Sequence, residues 1–200
     1  MIHNSRYTAN IGGGELKITE SRIIAELLLN NVDDKAWHEA IVVNNILQHK
    51  SLGFALRQAS LIRARLLLMK PALWQLVKEG SKKVATEAVF AAAIKHSPLL
   101  ADFLDLVVRE EFKIYSAVLT KTHWKKYLVD CSARDPYMPQ WSEGTENRLA
   151  SSVWGILAEV GYLSNKREKL LQALSISPEI MNYLINEQEK TVLRCIQVSL

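Results

Sequence analysis

Charged residues cut every apolar run in this chain. The longest segments free of Asp, Glu, Lys and Arg are residues 40–49 and 149–158, about half of the ~20 residues that a helix needs to span a bilayer. Between the charges, Leu, Ala, Glu, Lys and Arg recur at three- and four-residue spacings, which is the period of an amphipathic helix and not of a strand. Only eight glycines and five prolines interrupt them. The expected fold is all-α. With 200 residues, 48% of them hydrophobic and 23% charged, the chain can bury a sizeable core without metals or disulfides. No membrane partner is expected, and the short apolar stretch at residues 23–29, cut by Glu26, does not make a secretory leader. Cys131 and Cys195 set no disulfide framework, which points to a reducing cytoplasm.

Capping and breaking residues divide the chain. Thr19 is expected to cap a helix to about residue 30, Asp33 or Asp34 a second to about 48, and Ser51 a third over 52–69. That third helix carries one apolar stripe through Leu52, Leu56, Ala59, Ile62, Leu66 and Met69, and another through Phe54, Leu61 and Leu68. Two stripes predict burial on two sides and a central position. Helices at 71–80, 81–95 and 98–116, opened by Pro71, Ser81 and Pro98, complete a bundle. A helix over 122–134 leads into Asp135-Pro-Tyr-Met-Pro139, whose prolines favour an extended connection. The expected division is a helical bundle over 1–135 and a smaller helical subdomain over 140–200. In the latter, Ser142 or Thr145 caps a helix ending at Gly161, residues 162–176 read as a loop or short hairpin, and Ser177-Pro178 opens another helix. The last ten residues fit a strand or a short helix equally well.

Nothing in this pattern points to catalysis. His3, His38, His49, His96 and His123 include no pair at metal-ligand spacing, and no Gly-x-Ser-x-Gly elbow occurs. Gly12-Gly13-Gly14 lacks the Lys-Ser/Thr of a phosphate loop and reads as a flexible turn. Asp102, Asp105, Glu110 and Glu111 share one helix, as a solvated face does, whereas acid/base chemistry needs two carboxylates held across a cleft. The chain is expected to be no enzyme and to need no cofactor, metal or small-molecule substrate.

Charge placement says more than its total. The net charge is only +4 and the pI about 9.0, yet residues 50–83 hold Lys50, Arg57, Arg63, Arg65, Lys70, Lys78, Lys82 and Lys83 against the single acid Glu79. Such density supplies the salt-sensitive phosphate attraction used by nucleic-acid binders. Arg57, Arg65, Lys78, Lys82 and Lys83 are the candidates here. The competing reading has some of these cations snorkelling along the apolar stripes, or pairing with Asp102, Asp105 or Glu26 inside the fold.

A second group lies beyond the prolines. On the helix ending at Gly161, Leu149, Val153, Ile156, Leu157 and Val160 form the buried stripe, leaving Arg148, Ser151, Ser152 and Gly155 as a small polar face. A helix entering the major groove needs such a face. A basic tip at Lys166, Arg167 and Lys169 and the apolar Leu170-Leu171 follow, the parts of a winged helix-turn-helix. The alternative is a small face packed on another helix, followed by an ordinary basic loop. Arg148, Ser151, Lys166, Arg167 and Lys169 are the candidates in this group. Trp37, Trp74, Trp124, Trp141 and Trp154, spread along the elements, read as core anchors.

Three segments carry a family likeness: Tyr7-Thr-Ala-Asn-Ile-Gly-Gly-Gly-Glu-Leu16 with Glu20-Ser-Arg-Ile-Ile-Ala25, Asp102-Phe-Leu-Asp-Leu-Val-Val-Arg-Glu110, and Trp141-Ser142 with Thr145 leading to Leu157-Ala-Glu-Val-Gly-Tyr-Leu163. In order and overall length the chain resembles the BrxA family of bacterial BREX phage-defence systems. The resemblance implies a small, helical, non-enzymatic component that binds double-stranded DNA, with a bundle likened to the NusB antitermination factors and with other BREX proteins as partners. It transfers no catalytic residue and no DNA contact. A helical scaffold docking other defence proteins, or an RNA-binding bundle, are the alternatives.

Overall fold

Side-chain caps set the helix starts in the computed structural model, which describes residues 5–12 and 15–199. The expectations for His3, Gly13, Gly14 and Leu200 fall outside the described residues. Ser51, Ser81, Ser97 and Ser142 each accept the backbone N–H three residues on, and Thr120 and His123 cap each other reciprocally. These caps open α3 (Leu52–Leu67), α5 (Lys82–His96), α6 (Pro98–Phe103), α9 (Glu143–Val160) and α8 (Lys121–Arg134). Pro71 and Pro178 begin α4 (Pro71–Glu79) and α10 (Pro178–Asn186). The left-handed Gly161, φ 103°, ends α9.

Other starts and stops differ from expectation. Thr19 does not cap α1 (Ile18–Leu29); Lys17 takes that place in a left-handed conformation, without a side-chain cap. Asp33 caps α2 (Asp34–His38), which loosens into a π-helical turn at Glu39–Val43 and stops five residues early. A second π-helical segment, Leu104–Val108, joins α6 to α7 (Arg109–Lys113). The last ten residues hold α11 (Lys190–Ile196).

The centre of the bundle is α5, not α3. Every residue from Val84 to Ile94 is buried, and five of them are alanines whose small side chains let α3, α4, α9 and α11 approach closely. Helix α3 buries one face only, through Ala55, Gln58, Ala59, Ile62, Arg65 and Leu66. The stripe expected to be its second buried side faces outward: Phe54 and Leu68 are exposed, as are Leu52 and Leu56.

One apolar cluster runs from Tyr7 to Val198 and crosses the Pro136–Pro139 connection without a break. Phe103 sits at its aromatic hub, 5.2 Å from the rings of both Trp124 and Tyr127 and 5.7 Å from Trp154. Trp124 and Trp154 are buried, whereas Trp37, Trp74 and Trp141 are half-buried at the margin. Residues 162–172 form a minimal hairpin. Leu163 pairs with Leu171, Val118 adds a third short edge against Leu170, and Asn165 Oδ1 accepts the N–H groups of Arg167 and Glu168 at the turn. Among the described residues no helix is long and apolar enough to cross a membrane.

Acidic residues expected on a solvated face instead pin chain segments together. Asp102 accepts three hydrogen bonds from the Arg6 guanidinium and one from Tyr7 Oη at 2.6 Å, tying the N-terminal strap to α6. Asp105 accepts from Arg194 Nε at 2.8 Å and Arg109 Nε at 3.0 Å, and the Arg109 guanidinium also donates to the carbonyls of Arg194 and Gln197, so α11 is clamped down. Burial raises the Asp105 carboxyl, but the bonds from Arg194 and Arg109 outweigh it and hold it below its ordinary value. Stability from a carboxyl so depressed is complete above its unfolded value near 4, and is lost as pH falls through the lower folded value. Asp105→Asn is therefore expected to cost about 1 kcal/mol at pH 7, a few degrees of melting temperature, with the gap to wild type narrowing at pH 3. Melts at both pH values check this; a gap that stays constant contradicts the clamp.

Candidate nucleic-acid interface

The basic stretch of residues 50–83 disperses when folded. Arg65 is only 2% exposed and drops out as a surface contact. Its burial lowers the guanidinium pKa to about 10 against the opposing charge of Glu159, and among the described residues its Nε has no hydrogen-bond partner. Arg63 stacks on Trp37, 4.4 Å from the ring centroid, and faces Asp34. Lys78 pairs with Glu26 at 3.2 Å. Lys83 donates to the Ser175 carbonyl at 2.9 Å and lies 3.8 Å from the buried Glu87. Pairing inside the fold is thus real for several of these cations, though Asp102 and Asp105 take arginines from elsewhere. Lys82 is exposed beside Glu159 and Val160, and Arg57 is exposed on α3 one turn beyond Phe54.

The second group converges. A cleft of about 420 Å3 is lined by Arg148, Ser151 and Ser152 of α9, Lys166 of the hairpin, Phe54 of α3, and Gly12, Glu15 and Lys17 of the N-terminal segment. Arg148 and Ser151 are exposed, and the Arg148 guanidinium is steadied by donating to Thr145 Oγ1 at 3.2 Å.

The small face of α9 is only half open. Ser152 and Gly155, expected on the outward side, are buried. Glu15 and Lys166 form an ion pair laid across Gly155, where an added Cβ would come within 3.0 Å of Glu15 Cγ and 3.1 Å of Lys166 Cε. One turn further, Glu159 Oε2 accepts the Leu16 N–H at 2.8 Å. The N-terminal segment therefore covers the C-terminal half of this face and leaves the Arg148–Ser151 half exposed. Arg167 is exposed at the hairpin tip; Lys169, half-buried, folds back to donate to the Arg167 carbonyl at 2.9 Å.

Lys17 and Phe54 were missed by sequence reasoning. Lys17 adjoins the site because its backbone turns left-handed, φ 56°, which no local signal announces, and Phe54 reads as a core residue. Lys121, Lys125 and Lys126, exposed on α8, were also passed over, although no acidic residue stands between Glu111 and Asp130. Among the described residues no group of His, Cys, Asp and Glu could hold a metal ion.

Comparison with known proteins agrees with the likeness in the motifs. The BrxA family profile matches residues 5–188. The BREX protein BrxA of Paramagnetospirillum magneticum is 53% identical over 195 residues, covering 98% of each chain. That of Escherichia coli is 34% identical over 180 residues, covering 90% of this chain and 84% of its own. A crystal structure of an uncharacterized protein from Magnetospirillum magneticum superposes with a TM-score of 0.92 at 52% identity, over 97% of this chain and all of the other. The chain belongs to the BrxA family.

Proposed function

We propose that this protein is a non-enzymatic, cytoplasmic, DNA-binding component of a BREX phage-defence system, engaging duplex DNA chiefly through its phosphates at the exposed half of α9. The observation that carries this reading is the convergence of Arg148, Ser151, Lys166 and Lys17 on one cleft from three separate parts of the chain. Two features support it. The succession α8, α9 and the short paired segment after it is compatible with a helix-turn-helix arrangement, in which a helix is laid in the major groove. The exposed lysines of α8 and Arg167 add further positive charge to the surface.

Affinity for a duplex of about 20 base pairs, measured by shift assay across salt concentrations, is expected to fall with a log–log slope of magnitude about 3 or more, since each phosphate contact contributes roughly −0.9. RNA of equal length is expected to bind more weakly, because an A-form major groove does not admit a helix. No duplex binding at low salt, or a slope near zero, contradicts the proposal. The outward leucines of α3, Leu56, Leu67 and Leu68, favour an additional role in docking other BREX proteins.

A further inference from the structure

The cleft beside α9 holds more than phosphate attraction requires. A continuous duplex offers phosphates and base edges, which recruit cations and hydroxyls such as Arg148 and Ser151. Phe54 answers neither need. It stands 37% exposed on the cleft wall, among Lys17, Arg148 and Lys166, an aromatic ring in an otherwise polar and charged lining. The ring is held in position by His49, edge-on with the centroids 4.8 Å apart and the planes at 84°.

Opposite it, α9 presents a hydroxyl and a guanidinium, and the Glu15–Lys166 pair across Gly155 closes one end. The volume of about 420 Å3 lies within the roughly 300–1,000 Å3 of small-molecule sites. An aromatic face, flanking cations and one polar side chain are the elements that receive an unstacked nucleotide: base on the ring, phosphate on the cations, base edge on the hydroxyl.

Building on the DNA-binding reading above, we infer that this cleft receives a single unstacked nucleotide of a DNA strand, its base stacked on Phe54 and its phosphate held by Arg148 and Lys17. The protein then prefers DNA carrying an unpaired nucleotide over a continuous duplex of the same sequence.

The test compares two duplexes of about 20 base pairs, one continuous and one carrying a single unpaired 2-aminopurine. Wild-type protein is expected to bind the second roughly fivefold or more tightly, the lower end of what base–aromatic stacking provides, and to change the 2-aminopurine fluorescence as the base leaves the helix. Phe54→Ala is expected to bring the two affinities within about twofold and to abolish the fluorescence change, while the protein still folds and still binds the continuous duplex. Phe54→Trp is expected to retain the preference. Equal affinity of wild type for both duplexes, or a preference that survives in Phe54→Ala, overturns the inference while leaving duplex binding intact. Failure to bind either duplex brings down the proposed function, and the inference with it.

Discussion

Phe103→Ala lowers the melting temperature by roughly 6–20 °C, the largest effect expected of any single apolar truncation in this chain. The side chain is fully buried and meets Trp124 and Tyr127 of α8 and Trp154 of α9 edge-on, so no single element can shift to fill the space left behind. Loss of transferred area plus an uncollapsed cavity costs about 3–5 kcal/mol for a buried phenylalanine, and each kcal/mol is worth roughly 2–4 °C in a domain of this size. Edge-to-face contacts to three rings add to the area term. Val129→Ala on the adjoining α8, where the side chain is 69% exposed, serves as the control and is expected to move the transition by less than about 2 °C. Because one core joins Trp154 of α9 to Phe103 of α6, the Phe103→Ala protein should still unfold in a single transition, with near- and far-ultraviolet dichroism coincident. A shift under about 3 °C, or two separated transitions, contradicts the hub.

Local chemistry was legible in the sequence and non-local chemistry was not. Ser51, Ser81 and Ser142 and the helix-opening prolines mark their helices because a cap acts on the next three residues alone. The misplacement of the centre has a different origin. Stripes of leucine on α3 outnumber those on α5, but burial follows from what packs against a helix, and the alanines of α5 admit neighbours from every side where Leu56 and Leu68 of α3 stay exposed. The two π-helical segments and the pairing of Val118 with Leu170 also depend on distant partners. Arg65 shows the limit of counting charge: its position in the window contributes to a basic patch, and its face of the helix puts it in the core. The cleft divides along the same line. Arg148, Ser151 and Lys166 fall on one helix and the loop after it, so a single reading frame finds them, whereas Phe54 and Lys17 reach the site only through the fold.

Reversing Arg57 and Arg148 together to Glu reduces duplex affinity about 100-fold at roughly 150 mM salt and leaves folding unchanged. Arg148 lines the cleft and Arg57 stands one turn along α3 from Phe54 of its wall; both are exposed, and among the described residues neither has an acidic partner whose loss would destabilise the fold. They lie on different helices, so their effects should add, at about tenfold or 1.4 kcal/mol for each. The salt dependence should flatten in parallel, its log–log slope losing roughly 0.9 for each phosphate contact removed. Lys82→Glu is the informative contrast. It belongs to the densest basic run of the sequence, yet it stands in a separate cleft with Glu159 and Val160, so its reversal is expected to change affinity less than about threefold. The opposite ranking, with Lys82→Glu severe and the double reversal mild, would move the interface to the N-terminus of α5 and remove α9 from it. Equal losses at both places would make the protein a diffuse polycation for DNA, in which case the slope should fall by similar steps wherever a cation is reversed, and the placement on α9 would carry no weight.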